Sequence, residues 1–141
     1  MGFLIDTNIL SEVQKGDRGD PGVRAWYDAV DPHELYLSVL VLGEVRQGIE
    51  RLRRRDPIQA ERLAERLALI KAGFVDRILP VSTAVAERWG HNNVPDALPV
   101  IDGLLASTAQ VHGLTLVTRN VEDVERSGVS LLNPFSDATT P

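Results

Sequence analysis

The sequence predicts a single α/β domain: a central parallel sheet of four to five strands flanked by helices. Three observations predict it. Strand-like and helix-like segments alternate along the whole chain with no linker or internal repeat. The chain opens on a short apolar run, Gly2-Phe3-Leu4-Ile5, that ends in Asp6, as a buried strand does when its carboxyl end delivers an acid. And 141 residues with 43% apolar content are enough for one substantial core, with no reason to expect two.

In order, Gly2 to Ile5 reads as the first strand and Thr7 to Val13 as a helix. Gln14 to Asp20 is polar and glycine-bearing, hence a loop, and Asp20-Pro21 supplies an N-cap and a first-turn proline. Val23, Trp26, Tyr27 and Val30 then recur at helical spacing, with the aromatic pair facing the core or a partner, until Asp31-Pro32 stops the helix. Leu35 to Ser38 reads as the second strand. Val39 to Arg54 reads as a long helix striped by Val41, Leu42, Val45, Ile49 and Leu52.

Asp56-Pro57 restarts a helix whose stripe of Leu63, Leu67 and Ile70 stops at Gly73. Ile78 to Val81 reads as a third strand. Ser82 caps a helix that ends at Gly90, with His91 to Asn93 as loop; Pro95 to Pro99 then leads into a long helix finishing at Gly113. Thr115 to Thr118 is a fourth strand, followed by a short helix, and Val129 to Leu132 a last short one. The domain is expected to span residues 1–135, with a loose tail over 136–141.

Composition narrows the function. Without cysteine there are no disulfides and no thiolate metal sites, which fits a reducing cytoplasm. No segment approaches the roughly 18 apolar residues of a membrane span, and no basic leader precedes the first strand. The formal charge of -5 argues against a general nucleic-acid coat. Arg46, Arg51, Arg53, Arg54 and Arg55 form a local exception, readable as a solvated helix end or as a phosphate-tracking surface.

The chemistry lies in four acids. Asp6 ends the first strand, Glu44 sits early in the helix after the second, and Asp102 early in the long helix before the fourth. Asp123 stands near the start of the short helix that follows. A helix preceding a parallel strand runs antiparallel to it, so all four start at the carboxyl rim of the sheet, where open α/β sheets bind ligands. Each has an ordinary explanation: Asp6 as a helix cap, Asp102 and Asp123 as first-turn acids favoured by the helix dipole. Glu44 resists one, because Val41, Val45 and Gly48 place it on or beside the apolar face. Four carboxylates on one rim repel unless a cation is shared among them, so the set points to a metal site. His33, His91 and His112 have no metal-ligand spacing.

Phe3-Leu4-Ile5-Asp6-Thr7-Asn8, Leu37-Ser38 with Leu42-Gly43-Glu44-Val45-Arg46-Gln47-Gly48, Ile101-Asp102, Leu116-Val117-Thr118-Arg119-Asn120 with Asp123, and Asn133-Pro134-Phe135 follow one another in this order. Together they resemble a PIN-domain ribonuclease, most closely the VapC toxins of VapBC toxin–antitoxin modules. The resemblance implies a PIN-like fold and a metal-dependent ribonuclease that hydrolyses RNA phosphodiester bonds with a metal-activated water, leaving a 5′-phosphate and a 3′-hydroxyl. It implies Asp6, Glu44 and Asp102 as the metal-binding core, with Asp123 in the fourth place and Asn120 as a neutral ligand or hydrogen-bond partner. Thr7, Asn8 and Thr118 match supporting positions. Mg2+, or Mn2+, is the implied cofactor. The implied partners are an RNA substrate such as transfer or ribosomal RNA, a VapB-type antitoxin that directs an arginine at the acids, and a second copy in a homodimer. Trp26, Tyr27, Leu63 and Leu67 are candidates for the antitoxin groove. Two other readings stay open: a PIN-like module that binds RNA or protein without cleaving, and a HAD-type phosphotransferase with Asp6 as nucleophile, for which the usual second aspartate is missing.

Overall fold

The central strand is β1 (Phe3–Ile5), whose Leu4 and Ile5 are fully buried. In the computed structural model, which describes residues 2–137, five strands lie in the order β3-β2-β1-β4-β5, and every neighbouring pair is parallel. The other strands are β2 (Leu35–Ser38), β3 (Ile78–Leu79), β4 (Thr115–Val117) and β5 (Leu131–Leu132). The chain builds outward from β1 through β2 to β3, then crosses to the other side for β4 and β5. The strand order therefore reverses at β1 and β4, whose register pairs Ile5 with Val117. Loops leaving those two strands diverge there and leave a crevice at the carboxyl rim.

Seven helices surround the sheet among the described residues: α1 (Thr7–Gln14), α2 (Pro21–Ala29), α3 (Val39–Arg53), α4 (Pro57–Gly73), α5 (Thr83–Asn92), α6 (Val100–His112) and α7 (Val121–Val124). Most of the long ones start where the sequence supplies a cap, while α6 follows Pro99 without a side-chain cap. Asp20, Ser38, Asp56 and Ser82 accept from backbone N–H groups in the first turns of α2, α3, α4 and α5. α6 ends at Gly113, whose φ of 66° is the left-handed conformation a glycine terminator provides. The main core joins Ile9 and Leu10 of α1, Val23 of α2 and Leu105, Ala106 and Ala109 of α6 to the strands. A separate cluster of Ile49, Ala60 and Leu67 holds α3 against α4.

Arg77 fixes how that pair meets the sheet. Its guanidinium donates to the carbonyls of Pro32 and Leu35 at 2.6 and 2.8 Å and of Gly73 at 2.9 Å, and it packs over the Phe74 ring. It thereby ties the end of α4 to the start of β2, whose own end launches α3.

The expected elements are present, with shifted ends. α5 continues through Gly90 to Asn92, because Gly90 keeps a helical backbone and the Asn92 side chain donates to Ser107 and Gln110 of α6. β5 is shorter than expected, since pairing with β4 opens with Leu116 N–H on the Ser130 carbonyl and closes with Thr118 N–H on Leu132. The loop before α2 contains a 3-10 turn at Gly16–Arg18. Of the tail expected at 136–141, Ser136 donates from its backbone N–H and its hydroxyl to Asp20 at 2.9 and 2.7 Å, while 138–141 lie outside the described residues. No helix among the described residues is long and apolar enough to cross a membrane.

Candidate active site

Asp6 leaves β1 at the point of strand reversal and is only 4% exposed. Its backbone N–H continues the β1–β4 ladder onto the Val117 carbonyl at 3.0 Å, and one carboxylate oxygen caps α1 by accepting from Thr7 N–H at 2.7 Å. The other, Oδ2, accepts from the Thr118 hydroxyl at 2.7 Å, with Asn8 Nδ2 more distant at 3.5 Å. The capping role and the site role of Asp6 thus coexist, one oxygen to each.

Thr7 turns the other way. Its hydroxyl donates to Glu44 Oε1 at 2.5 Å and so joins the start of α1 to the second turn of α3. Glu44 reaches this place because Ser38, buried at the end of β2, caps α3 through Leu40 N–H at 3.0 Å and sets the helix's entry. Ser38 was legible as a cap, serine before an apolar helical run, but its part in aiming Glu44 was not.

The loop after β4 closes the rim. Thr118 Oγ1 accepts from Asn120 N–H at 3.0 Å, and Asn8 Oδ1 accepts from Arg119 N–H at 3.2 Å. The Asn120 side chain hydrogen-bonds to Asp102, which α6 presents in its first turn. α6 is itself seated by Asn93, whose Oδ1 accepts from Leu98 N–H at 2.9 Å and folds the preceding loop back. Asp123 stands exposed in α7, with its N–H on the Asn120 carbonyl. Both Asn120 and Asp123 act on Asp102: Asn120 through a hydrogen bond, Asp123 through its charge.

The electrostatics report the convergence. Asp102 is pushed up to about 6, first by burial and then by the charges of Asp6, Asp123 and Glu44. Asp6 is also raised, mainly by burial with a further push from Glu44, against the lowering effect of its bonds from Thr118 and Thr7. Groups from four elements feel one another, so the four acids share a rim. Among the described residues no three His, Asp or Glu side chains are already drawn up as a metal-ligating group.

Beside Glu44 a groove of about 350 Å³ runs between α1, α3 and α4, lined by Ser11, Val45, Gly48, Ile49 and Leu63. Leu63, one of the candidates for the antitoxin groove, lines it. Leu67 does not, being buried between α3 and α4. Trp26 and Tyr27 also lie elsewhere: Trp26 stacks edge-on against Phe3 at 5.4 Å, and Tyr27 lines a separate hollow with Val13 and Arg24. The helical spacing that grouped them gave their face on α2 but not which way α2 faces.

This fold and rim have known counterparts. Residues 3–126 match the PIN domain. The chain belongs to the PIN-domain family. Within it the chain falls among the VapC-type toxins: it is 30% identical to the VapC ribonuclease Y4jK of Sinorhizobium fredii, over 96% of this chain and 99% of that protein. It is equally similar to the toxin FitB of Neisseria gonorrhoeae, at 30% identity over 96% and 99%. In three dimensions it matches a chain of the FitAcB crystal structure from Neisseria gonorrhoeae with a TM-score of 0.86 and 30% identity, over 94% of this chain and 97% of that one.

Proposed function

We propose that this chain is a divalent-metal-dependent ribonuclease, the toxin of a type II toxin–antitoxin module, with Asp6, Glu44, Asp102 and Asp123 as its metal-binding carboxylates. The observation that carries it is the shared field at the rim, where burial and then the charges of Asp6, Asp123 and Glu44 raise Asp102 to about 6 with no cationic side chain among the causes. Such a cluster destabilises the empty fold and is relieved by a cation. The donor set fits Mg2+ or Mn2+, since it is all oxygen, while the chain lacks cysteine and its histidines lie outside the rim's hydrogen bonds.

When bound there, the ion supplies Lewis acidity for a phosphodiester and lowers the pKa of water. The remaining work belongs to the protein. Thr118 and Thr7 each hold one carboxylate by a hydroxyl, which fixes the orientation of Asp6 and of Glu44. Asn120 does the same for Asp102. Asn8 ties the loop after β4 to α1. The partly open crevice gives an extended RNA strand access without unfolding. The products are a 5′-phosphate and a 3′-hydroxyl.

The same rim accounts for control by an antitoxin of the VapB type. A guanidinium is the side chain best matched to paired carboxylates, and an antitoxin arginine placed among them takes the ion's position. The apolar floor at Val45, Ile49 and Leu63 receives the segment that carries it. The active toxin is a cytoplasmic homodimer that cleaves structured RNA such as transfer or ribosomal RNA. Incubating the purified chain with end-labelled RNA, with Mn2+ or with chelator, tests the reading. Metal-dependent cleavage supports it, and intact RNA under both conditions leaves a non-cleaving binder.

A further inference from the structure

A rim of four carboxylates repels a polyanion, so an RNA strand needs a cation beside it. The arginines that stand out in the sequence lie on α3 or just past its end, outside the hydrogen bonds of the rim. Arg46 and Arg53 are ion-paired with Glu50, and Arg53 also with Glu61. Arg53 lies nine helical residues past Glu44, about 13 Å along α3. The basic residue built into the rim is Arg119.

Its backbone is locked between two bonds to the site. Thr118 before it donates to Asp6, Asn120 after it bonds to Thr118 and Asp102, and its own N–H donates to Asn8. The side chain leaves this fixed point and lies over the Phe135 ring, 4.6 Å from its centroid, with Nη2 on Asp137 Oδ2 at 2.5 Å. Phe135 is buried and forms a firm platform, whereas the ion pair is open to water, 52% exposed at Arg119 and 64% at Asp137. An exposed pair contributes little, and a guanidinium fork grips a phosphate as readily as a carboxylate.

We propose that Arg119 is a phosphate-binding position for the RNA strand entering the rim, with Asp137 occupying it in the free protein and yielding to the phosphate. The inference rests on the ribonuclease reading above. A rival role, in which Arg119 merely staples the C-terminal segment to Phe135, makes the opposite demand on Asp137.

The test uses the Asp102→Asn protein, so that RNA stays intact, and a fluorescein-labelled single-stranded RNA oligonucleotide titrated across a salt series. Adding Arg119→Ala is expected to weaken binding about fivefold and to flatten the salt dependence by about 0.7 in log–log slope. Arg119→Lys keeps the slope, and Asp137→Asn tightens binding. Urea midpoints show which variants fold; if Arg119→Ala does not, the lysine and Asp137 variants carry the comparison. Unchanged slope and affinity in Arg119→Ala, or equal weakening in Arg119→Ala and Asp137→Asn, overturns the inference alone. No RNA binding by the Asp102→Asn protein, together with no cleavage by the parent, overturns the ribonuclease reading with it.

Discussion

The hydroxyl of Thr118 donates to Oδ2 of Asp6 at 2.7 Å, across 112 residues of sequence and the two strands between which the sheet reverses its order. Both residues are buried, at 1% and 4% exposure, so neither has water to replace its partner. This bond couples the fold's central feature to its chemistry: β1 and β4 must be paired in register for the carboxylate to be oriented.

Thr118→Val keeps the shape and removes the hydroxyl. A buried carboxylate then loses a donor, at a cost of about 1–3 kcal/mol. Cleavage is expected to fall about ten- to a hundredfold, as when a group orienting a metal ligand is lost. Thr118→Ser restores most of both. Urea unfolding and initial cleavage rates on the three proteins check this.

Asp102→Asn separates a metal ligand from an ordinary first-turn acid. Removing one charge from a self-repelling rim leaves the metal-free protein as stable as the parent or more so, while cleavage is abolished. A helix-start acid instead loses about 0.3–1 kcal/mol and spares activity. Thermal melts with and without Mn2+ show the contrast, because the ion raises the parent's midpoint and leaves the variant's nearly unmoved.

The pH dependence has a definite sign. The folded value of Asp102, about 6, lies above the ordinary 3.8, so the native state holds this proton more firmly than the unfolded chain does. Stability of the metal-free protein therefore rises as pH falls from 7 through 6, and Asp6 adds in the same direction. The gain is absent above the folded value and complete below the unfolded one. Glu12, Asp20, Asp31 and Glu50 are all lowered and oppose it only near and below their ordinary values. Urea midpoints between pH 5 and 7.5 follow this slope, and Asp102→Asn flattens it.

Gly22→Ala tests the seating of the C-terminal segment. A Cβ at Gly22 falls 2.3 Å from the Pro134 carbonyl and 2.7 Å from Ser136 N, both backbone atoms that cannot step aside. Overpacking of this kind costs about 1–3 kcal/mol. Gly43→Ala, with nothing within 4 Å of the added carbon, is the matched control and is expected to gain stability from helix propensity.

What the sequence revealed was whatever its periodicity and caps encode locally. The apolar run before Asp6, Ser38 before Val39 and Gly113 after α6 each announce an element end, and the four acids sit at such ends or within two turns of one. Distance across the chain was not encoded that way. Nothing in the spacing of Thr7 and Glu44 shows that a hydroxyl joins them over 37 residues, and no local pattern distinguishes Arg119, at the rim, from Arg53, which pairs with glutamates at the far end of α3. The contacts of Trp26 and Tyr27 were hidden for the same reason. A helical stripe defines a face, and only the neighbouring elements decide what it meets.

The central claim, that Asp6, Glu44, Asp102 and Asp123 hold one divalent site, is tested most directly by titrating Mn2+ into the metal-free protein and its Asp6→Asn and Asp102→Asn variants while recording free Mn2+ by electron paramagnetic resonance. Saturable binding by the parent is expected, weakened about tenfold or more in each folded variant. Identical isotherms for all three proteins would contradict it.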